Sequence, residues 1–226
     1  MYINNHTHRV GNIEKRAKIL QVFALDPISE ADLDSIPEIV RSGHAFTLGL
    51  HPHSLARMNV HDAISMIRPY SDHIIAVGEC GLDTFVAVDK TIQIDAFREQ
   101  ARLAQEIGKP LIIHCVRSHE DILRLRREIR PNFPWIIHGF NRNRNLAEKL
   151  LDAGILLSIG KELMDDRHPI CEYLSIMKDI PFFLETDGKD IPIEQLYERC
   201  ASLLNLDTEE LTCRIATHFK QVYGTI

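Results

Sequence analysis

The sequence predicts a single domain built as a (β/α)8 TIM-type barrel, on three observations: its length, the rhythm of its short apolar runs, and the stop signals between them. At 226 residues, with 45% hydrophobic and 26% charged residues, the chain can bury one large core and falls in the size range of single α/β barrels. Residues 1–226 are therefore read as one domain. Eight apolar runs recur along it: Tyr2–Asn5, Lys18–Leu25, Ala45–Leu50, Ile74–Gly78, Leu111–His114, Trp135–His138, Ile155–Ile159 and Phe182–Thr186. Most are rich in Ile, Leu, Val and Phe, as strands buried on both faces should be, and their spacing is the strand-helix alternation of an α/β fold.

Helical patterns lie between the runs. Phe97, Ala101 and Ala104 share one helix face, and Gly108 and Pro110 stop that helix before the next strand. Leu146, Ala147, Leu150 and Leu151 form a second apolar stripe closed by Gly154, with Ser118 and Asn143 placed as helix N-caps. No Pro/Gly/Ser-rich linker, low-complexity tract or long charge block interrupts this order. The basic segment Leu123–Arg127, with Arg130, falls on an expected outer helix and reads as solvated surface.

Composition excludes several classes. The five cysteines are odd in number and never spaced as C-x-x-C, which argues against a disulfide framework or a zinc ribbon. No apolar run approaches the ~20 residues that cross a bilayer. The start, Met1-Tyr2-Ile3-Asn4-Asn5, lacks a basic stretch followed by an apolar one, so a cytoplasmic location is expected. A net charge of −6 gives no global attraction for phosphate backbones, so nucleic-acid contact would come from a local patch or from bound cations.

The polar residues fall at telling positions. His6 and His8 follow the first run, Glu79 the fourth, His114 the fifth, His138 the sixth and Asp187 the eighth. The C-terminal ends of barrel strands gather around one mouth, so four imidazoles and two carboxylates would converge there. One histidine after a strand is commonly just hydrogen-bonded. Six ionisable groups in a low-dielectric mouth cost several kcal/mol unless neutralised, and divalent cations neutralise them most directly. Imidazole and carboxylate ligands suit Zn²⁺, Mn²⁺ or Fe²⁺, while Mg²⁺ prefers oxygen, so ligand type leaves the ion open.

The chain resembles the TatD family of metal-dependent deoxyribonucleases across nearly its whole length. The resemblance rests on Asn4-Asn5-His6-Thr7-His8, Gly49-Leu50-His51-Pro52-His53, Gly78-Glu79-Cys80-Gly81-Leu82-Asp83, Leu111-Ile112-Ile113-His114-Cys115, Ile137-His138-Gly139-Phe140 and Leu184-Glu185-Thr186-Asp187. Gln93, Phe97, Gln100 and the closing His218-Phe219 to Tyr223-Gly224 stretch add to it. It implies two divalent ions, Zn²⁺, Mn²⁺ or Mg²⁺: one held by His6, His8, Glu79 and Asp187, the other by Glu79, His114 and His138, with Glu79 bridging. It also implies exonuclease-like phosphodiester hydrolysis of DNA, single-stranded or at duplex ends, by water activated between two ions with Asp187 as general base. His51 and His53 would contact substrate. Arg117 and Arg142 join them as candidate phosphate contacts, as do Arg144 and Lys161. Asp83 would hydrogen-bond a ligand histidine or shape its loop. Cys80 and Cys115 adjoin ligands, but strand alternation turns them away from the barrel interior.

The chain departs from the family pattern twice. Asn4 stands where relatives usually carry an aspartate behind the first histidine pair, removing a carboxylate that would orient it. After Asp187, Gly188–Pro192 leads directly into the final helices, where many relatives have a longer basic loop. Two other readings accompany the nuclease: a metal-dependent hydrolase of a small phosphoester, ester or amide, since barrels vary substrate through their loops, and a non-catalytic metal-binding interaction module.

Overall fold

Each apolar run forms a strand, and neighbouring strands pair in parallel. In the computed structural model, which describes residues 1–8 and 19–224, the strands are β1 (Tyr2–Thr7), β2 (Ile19–Leu25), β3 (Ala45–Leu48), β4 (Ala76–Asp83), β5 (Leu111–Val116), β6 (Trp135–Ile137), β7 (Ile155–Ile159) and β8 (Phe182–Leu184). Lys18, expected to open the second strand, lies outside the described residues. The helices are α1 (Glu30–Arg41), α2 (Val60–Ile67), α3 (Lys90–Glu106), α4 (His119–Ile129), α5 (Arg144–Asp152), α6 (Ile170–Tyr173), α7 (Ile193–Leu204) and α8 (Thr208–Tyr223).

The strands pair in chain order from β1 to β8, and specific bonds bridge the seam between β8 and β1. The Asp187 N–H donates to His6 O at 3.1 Å. Asn4 Nδ2 donates to Thr186 Oγ1, and the Thr186 N–H donates to Asn4 Oδ1, both at 2.9 Å. A second Asn4 Nδ2 bond reaches Gln21 Oε1 on β2 at 2.7 Å. The Asn4 amide, at the position where the resemblance implies an aspartate, therefore acts in closure: it donates twice and accepts once, which an ionised carboxylate could not do.

Three strands extend past the ends expected from the sequence. His6 and Glu79 lie inside β1 and β4 rather than after them, and β5 runs on to Val116 past His114, where the fifth run was expected to end. The apolar pattern stops where the polar side chains begin, but the backbone ladder continues. β1 and β4 each carry one extra residue against their partners. Asn4 to Thr7 opposes Gln21 to Phe23, and Val77 to Cys80 opposes Leu111 to Ile113. Such bulges re-aim side chains and are common beside active sites, and His6 and Glu79 sit within these two. Gly81 allows the close approach of β4 to β5: a Cβ there would lie 1.8 Å from His114 O.

Helix α3 locks two strand ends through its glutamines. Gln100 Oε1 accepts from the Leu50 N–H at 2.7 Å and its Nε2 donates to Leu50 O at 3.1 Å. Gln93 pairs in the same way with Asp83 N (2.8 Å) and Asp83 O (3.1 Å). Asn143 caps α5 by accepting from the Leu146 N–H. Ser118 occupies the N-cap of α4, but its hydroxyl donates to Val116 O instead. The basic segment does lie on outer helix α4, with one correction. Arg126 donates to Ala153 O and Gly154 O, both at 3.2 Å, and its guanidinium covers the Trp135 ring at 5.5 Å, so it caps the end of α5 rather than facing solvent.

Candidate metal centre

All six expected residues meet at the C-terminal mouth, and Glu79 is their hub. Its two oxygens face different partners. Oε2 lies 3.3 Å from both His6 Nε2 and His8 Nε2. Oε1 lies 2.6 Å from His138 Nε2, 2.9 Å from His114 Nδ1 and 3.4 Å from His51 Nε2. Asp187 Oδ1 completes the first group at 3.5 Å from His8 Nε2 and 4.0 Å from His6 Nε2. Asp187 adopts a left-handed backbone, φ 47°, a sparsely populated conformation that is tolerated by Asp and common at functional sites. A cavity of about 360 Å³ opens over this cluster, with Asp26, His51, Glu79 and Asp187 in its lining.

The charges at the centre are tightly coupled, with Glu79 held ionised, His6 neutral and His138 protonated. Burial alone would push the Glu79 carboxyl up, but the His138 charge and hydrogen bonds from His114, His138 and His51 override it and hold the group well below the usual carboxylate range. Burial opposes charge on His138, yet Glu79 and Glu185 hold its pKa well above the ordinary value. Burial and the neighbouring His138 lower the pKa of His6. Imidazole nitrogens only 3.3 Å apart, as in His6 and His8, cannot all be charged, and neutral nitrogens need a proton or a metal between them. Three trios bring one ligand atom each to within 4.8 Å of one another: His6–His8–Asp187, His6–Glu79–His138 and His51–Glu79–His114. Nitrogen and carboxylate donors at these separations fit divalent cations.

Carboxylates behind the cluster orient its rings. Asp83 Oδ2 accepts from His114 Nε2 at 2.9 Å, which turns Nδ1 toward Glu79. Glu185 Oε1 lies 3.4 Å from His138 Nδ1 and accepts from the Gly139 N–H at 2.7 Å. Glu185, fully buried, is a site residue that sequence reasoning missed, as is Asp26, whose Oδ2 accepts from Ser54 Oγ in the cavity wall.

The remaining candidates spread around the rim. His53 is exposed, 3.7 Å from Asp83 Oδ2, and stacks on His51 with ring centroids 5.1 Å apart. Arg117 lies over the Phe85 ring. The backbone carbonyl of Arg142 accepts from Tyr173 Oη, and its side chain is exposed. Arg144 is committed to Glu148 at 2.7 Å. Lys161 and Lys189 line a second cavity beside Asp187. The short loop after Asp187 thus keeps one basic side chain, with Lys189 Nζ 3.8 Å from Asp187 Oδ2. Cys80 turns away from the centre with its Sγ toward Ile112 O, and burial pushes its thiol pKa far up. Burial pushes Cys115 up to about 12, so neither supplies a thiolate at neutral pH.

Fold and cluster together define a (β/α)8 barrel with a candidate histidine-carboxylate metal centre at its mouth. A family profile described as TatD related DNase matches residues 3–224. The chain belongs to this family. The 3'-5' ssDNA/RNA exonuclease TatD of Edwardsiella piscicida is 31% identical over 168 residues, covering 68% of this chain and 64% of that protein. The chain thus matches slightly under two thirds of that relative's length. The protein of the same name from Erwinia amylovora is 27% identical, over 79% of this chain and 77% of its own. Among solved structures, the TatD homologue YjjV of Escherichia coli superposes with a TM-score of 0.81 at 18% identity, over 100% of this chain and 98% of that one. A β-aspartyl dipeptidase from Fervidobacterium islandicum superposes at 0.65 and 15% identity, over 98% and 72%. Both structural likenesses are likenesses of fold.

Proposed function

We propose that this chain is a metal-dependent phosphodiesterase that removes nucleotides from the ends of nucleic acid. The division of Glu79 between two groups of nitrogens carries the reading, since one carboxylate with a separate set of partners on each oxygen is the arrangement a bridging ligand needs. His6, His8, Glu79 and Asp187 would hold one divalent ion, and Glu79, His114 and His138 a second. Bound there, such ions supply Lewis-acid stabilisation of phosphate oxygens and lower the pKa of water.

The chain's own groups do the rest. Asp187, partly open to the cavity and pinned through its backbone to His6 O, accepts the proton of the attacking water. Asp83 and Glu185 fix the ring orientations of His114 and His138. His51, at the edge of the cluster, contacts the substrate, as do His53, Arg117 and Arg142 farther out. The names of the relatives support nucleic acid, and single strands in particular, as the substrate class. Among the described residues no helix is long and apolar enough to cross a membrane, and we place the protein in the cytoplasm as one domain.

End-labelled single- and double-stranded oligonucleotides, incubated with Mg²⁺, Mn²⁺ or Zn²⁺, test the reading. Wild type is expected to release nucleotides, and Asp187→Ala to lose about 10²- to 10⁴-fold in rate, the usual contribution of a general base. No cleavage with any ion, in protein shown to contain metal, would overturn the nucleic-acid assignment and leave small phosphoesters as the next substrates.

A further inference from the structure

Phe85 is 67% exposed, an unusual state for a phenylalanine, and its surroundings are specific. It follows β4 by two residues, on the mouth side of the barrel. Its N–H donates to Asp83 Oδ1 at 2.8 Å, while the other oxygen of that carboxylate accepts from His114 Nε2 at 2.9 Å. The backbone at Phe85 is thereby linked to His114 through the Asp83 side chain. From the loop after β5, the Arg117 guanidinium carbon lies 4.7 Å from the ring centroid. Arg117 thus lies over a ring that stays two-thirds exposed, and among the described residues no carboxylate pairs with Arg117. On the other flank of Asp83 stands the His53 ring, 65% exposed and nearly parallel to His51, with 6° between their planes.

We infer that Phe85, backed by Arg117, is a stacking platform for an unpaired nucleobase next to the scissile phosphate. The inference rests on the nuclease reading above and assigns a residue to the recognition of its unpaired end. A chain with net charge −6 lacks the broad positive surface that usually gathers nucleic acid. Aromatic-base stacking supplies affinity without such a field and without sequence preference, because every base presents a π-face. Arg117 adds cation–π attraction to the ring and a positive charge for the adjacent phosphate. A base inside a duplex has both faces stacked, and one at a duplex end must leave its partner to reach the ring beside the centre, so the platform favours unpaired ends.

Kinetics on a single-stranded oligonucleotide and on the same strand lacking its terminal base test the platform. Phe85→Ala is expected to raise KM on the intact strand roughly 5- to 100-fold. Phe85→Trp should restore most of this, and the advantage of wild type should vanish on the abasic strand. Binding of a fluorescent single strand to Asp187→Asn protein, with and without Phe85→Ala, gives the same comparison at equilibrium. Equal KM for wild type and Phe85→Ala, or a deficit of the same size on the abasic strand, would overturn the platform while leaving the nuclease intact. A wild type that neither binds nor cleaves oligonucleotides would instead remove the nuclease reading, and the platform with it.

Discussion

At the residue scale, buried titratable groups divide into those that serve the centre and those that only bear its surroundings. His119, on α4 against Phe140, is of the second kind: burial, aided by the Arg142 charge, lowers its pKa to about 4. The unfolded chain binds a proton there below about pH 6.5, whereas the folded chain does not until about pH 4. Its contribution is thus complete above pH 6.5 and lost as pH falls toward 4. Urea midpoints measured from pH 7 to 4.5 should fall more steeply for wild type than for His119→Phe, and equal slopes would refute the assignment. The six residues of the centre were legible because each is ionisable and stands where an apolar run ends. The same rule selects Asp26 after Leu25, which went unread because an aspartate followed by proline looks like ordinary turn chemistry. Glu185 was hidden differently: it faces the barrel interior from within the last run, and a lone buried carboxylate gains meaning only beside His138.

At the element scale, the order and parallel pairing of all eight strands followed from periodicity, but register did not. The bulges at His6 and Glu79 arise from pairing against β2 and β5, and one strand's pattern carries no record of its partner's spacing. Arg126 was misread for a related reason, since its carbonyl partners come from a neighbouring helix end. The glutamines of α3 entered only as matches of the family resemblance, and the structure gives their purpose. Gln100→Leu keeps the volume but strands a buried N–H and C=O at Leu50, at a cost of ~1–3 kcal/mol. For a chain of this size that corresponds to a fall in Tm of roughly 3–10 °C. Calorimetry checks it, and an unchanged Tm would show that Leu50 finds other partners.

At the scale of the whole molecule, the centre draws side chains from β1, β4, β5 and the ends of β6 and β8, so ions bound there cross-link much of the barrel, including the β8–β1 seam. Chelation should therefore lower Tm, by ~5–10 °C for each site previously held at 100-fold its Kd, with Glu79→Gln already destabilised and insensitive to chelator. A chelator-insensitive wild type would mean that the cluster is satisfied by protons alone. The most direct measurement is anomalous scattering from crystals grown with Mn²⁺. The account predicts two peaks flanking the Glu79 carboxylate, one beside His6, His8 and Asp187 and one beside His114 and His138. A single peak, or none at Glu79, would contradict it.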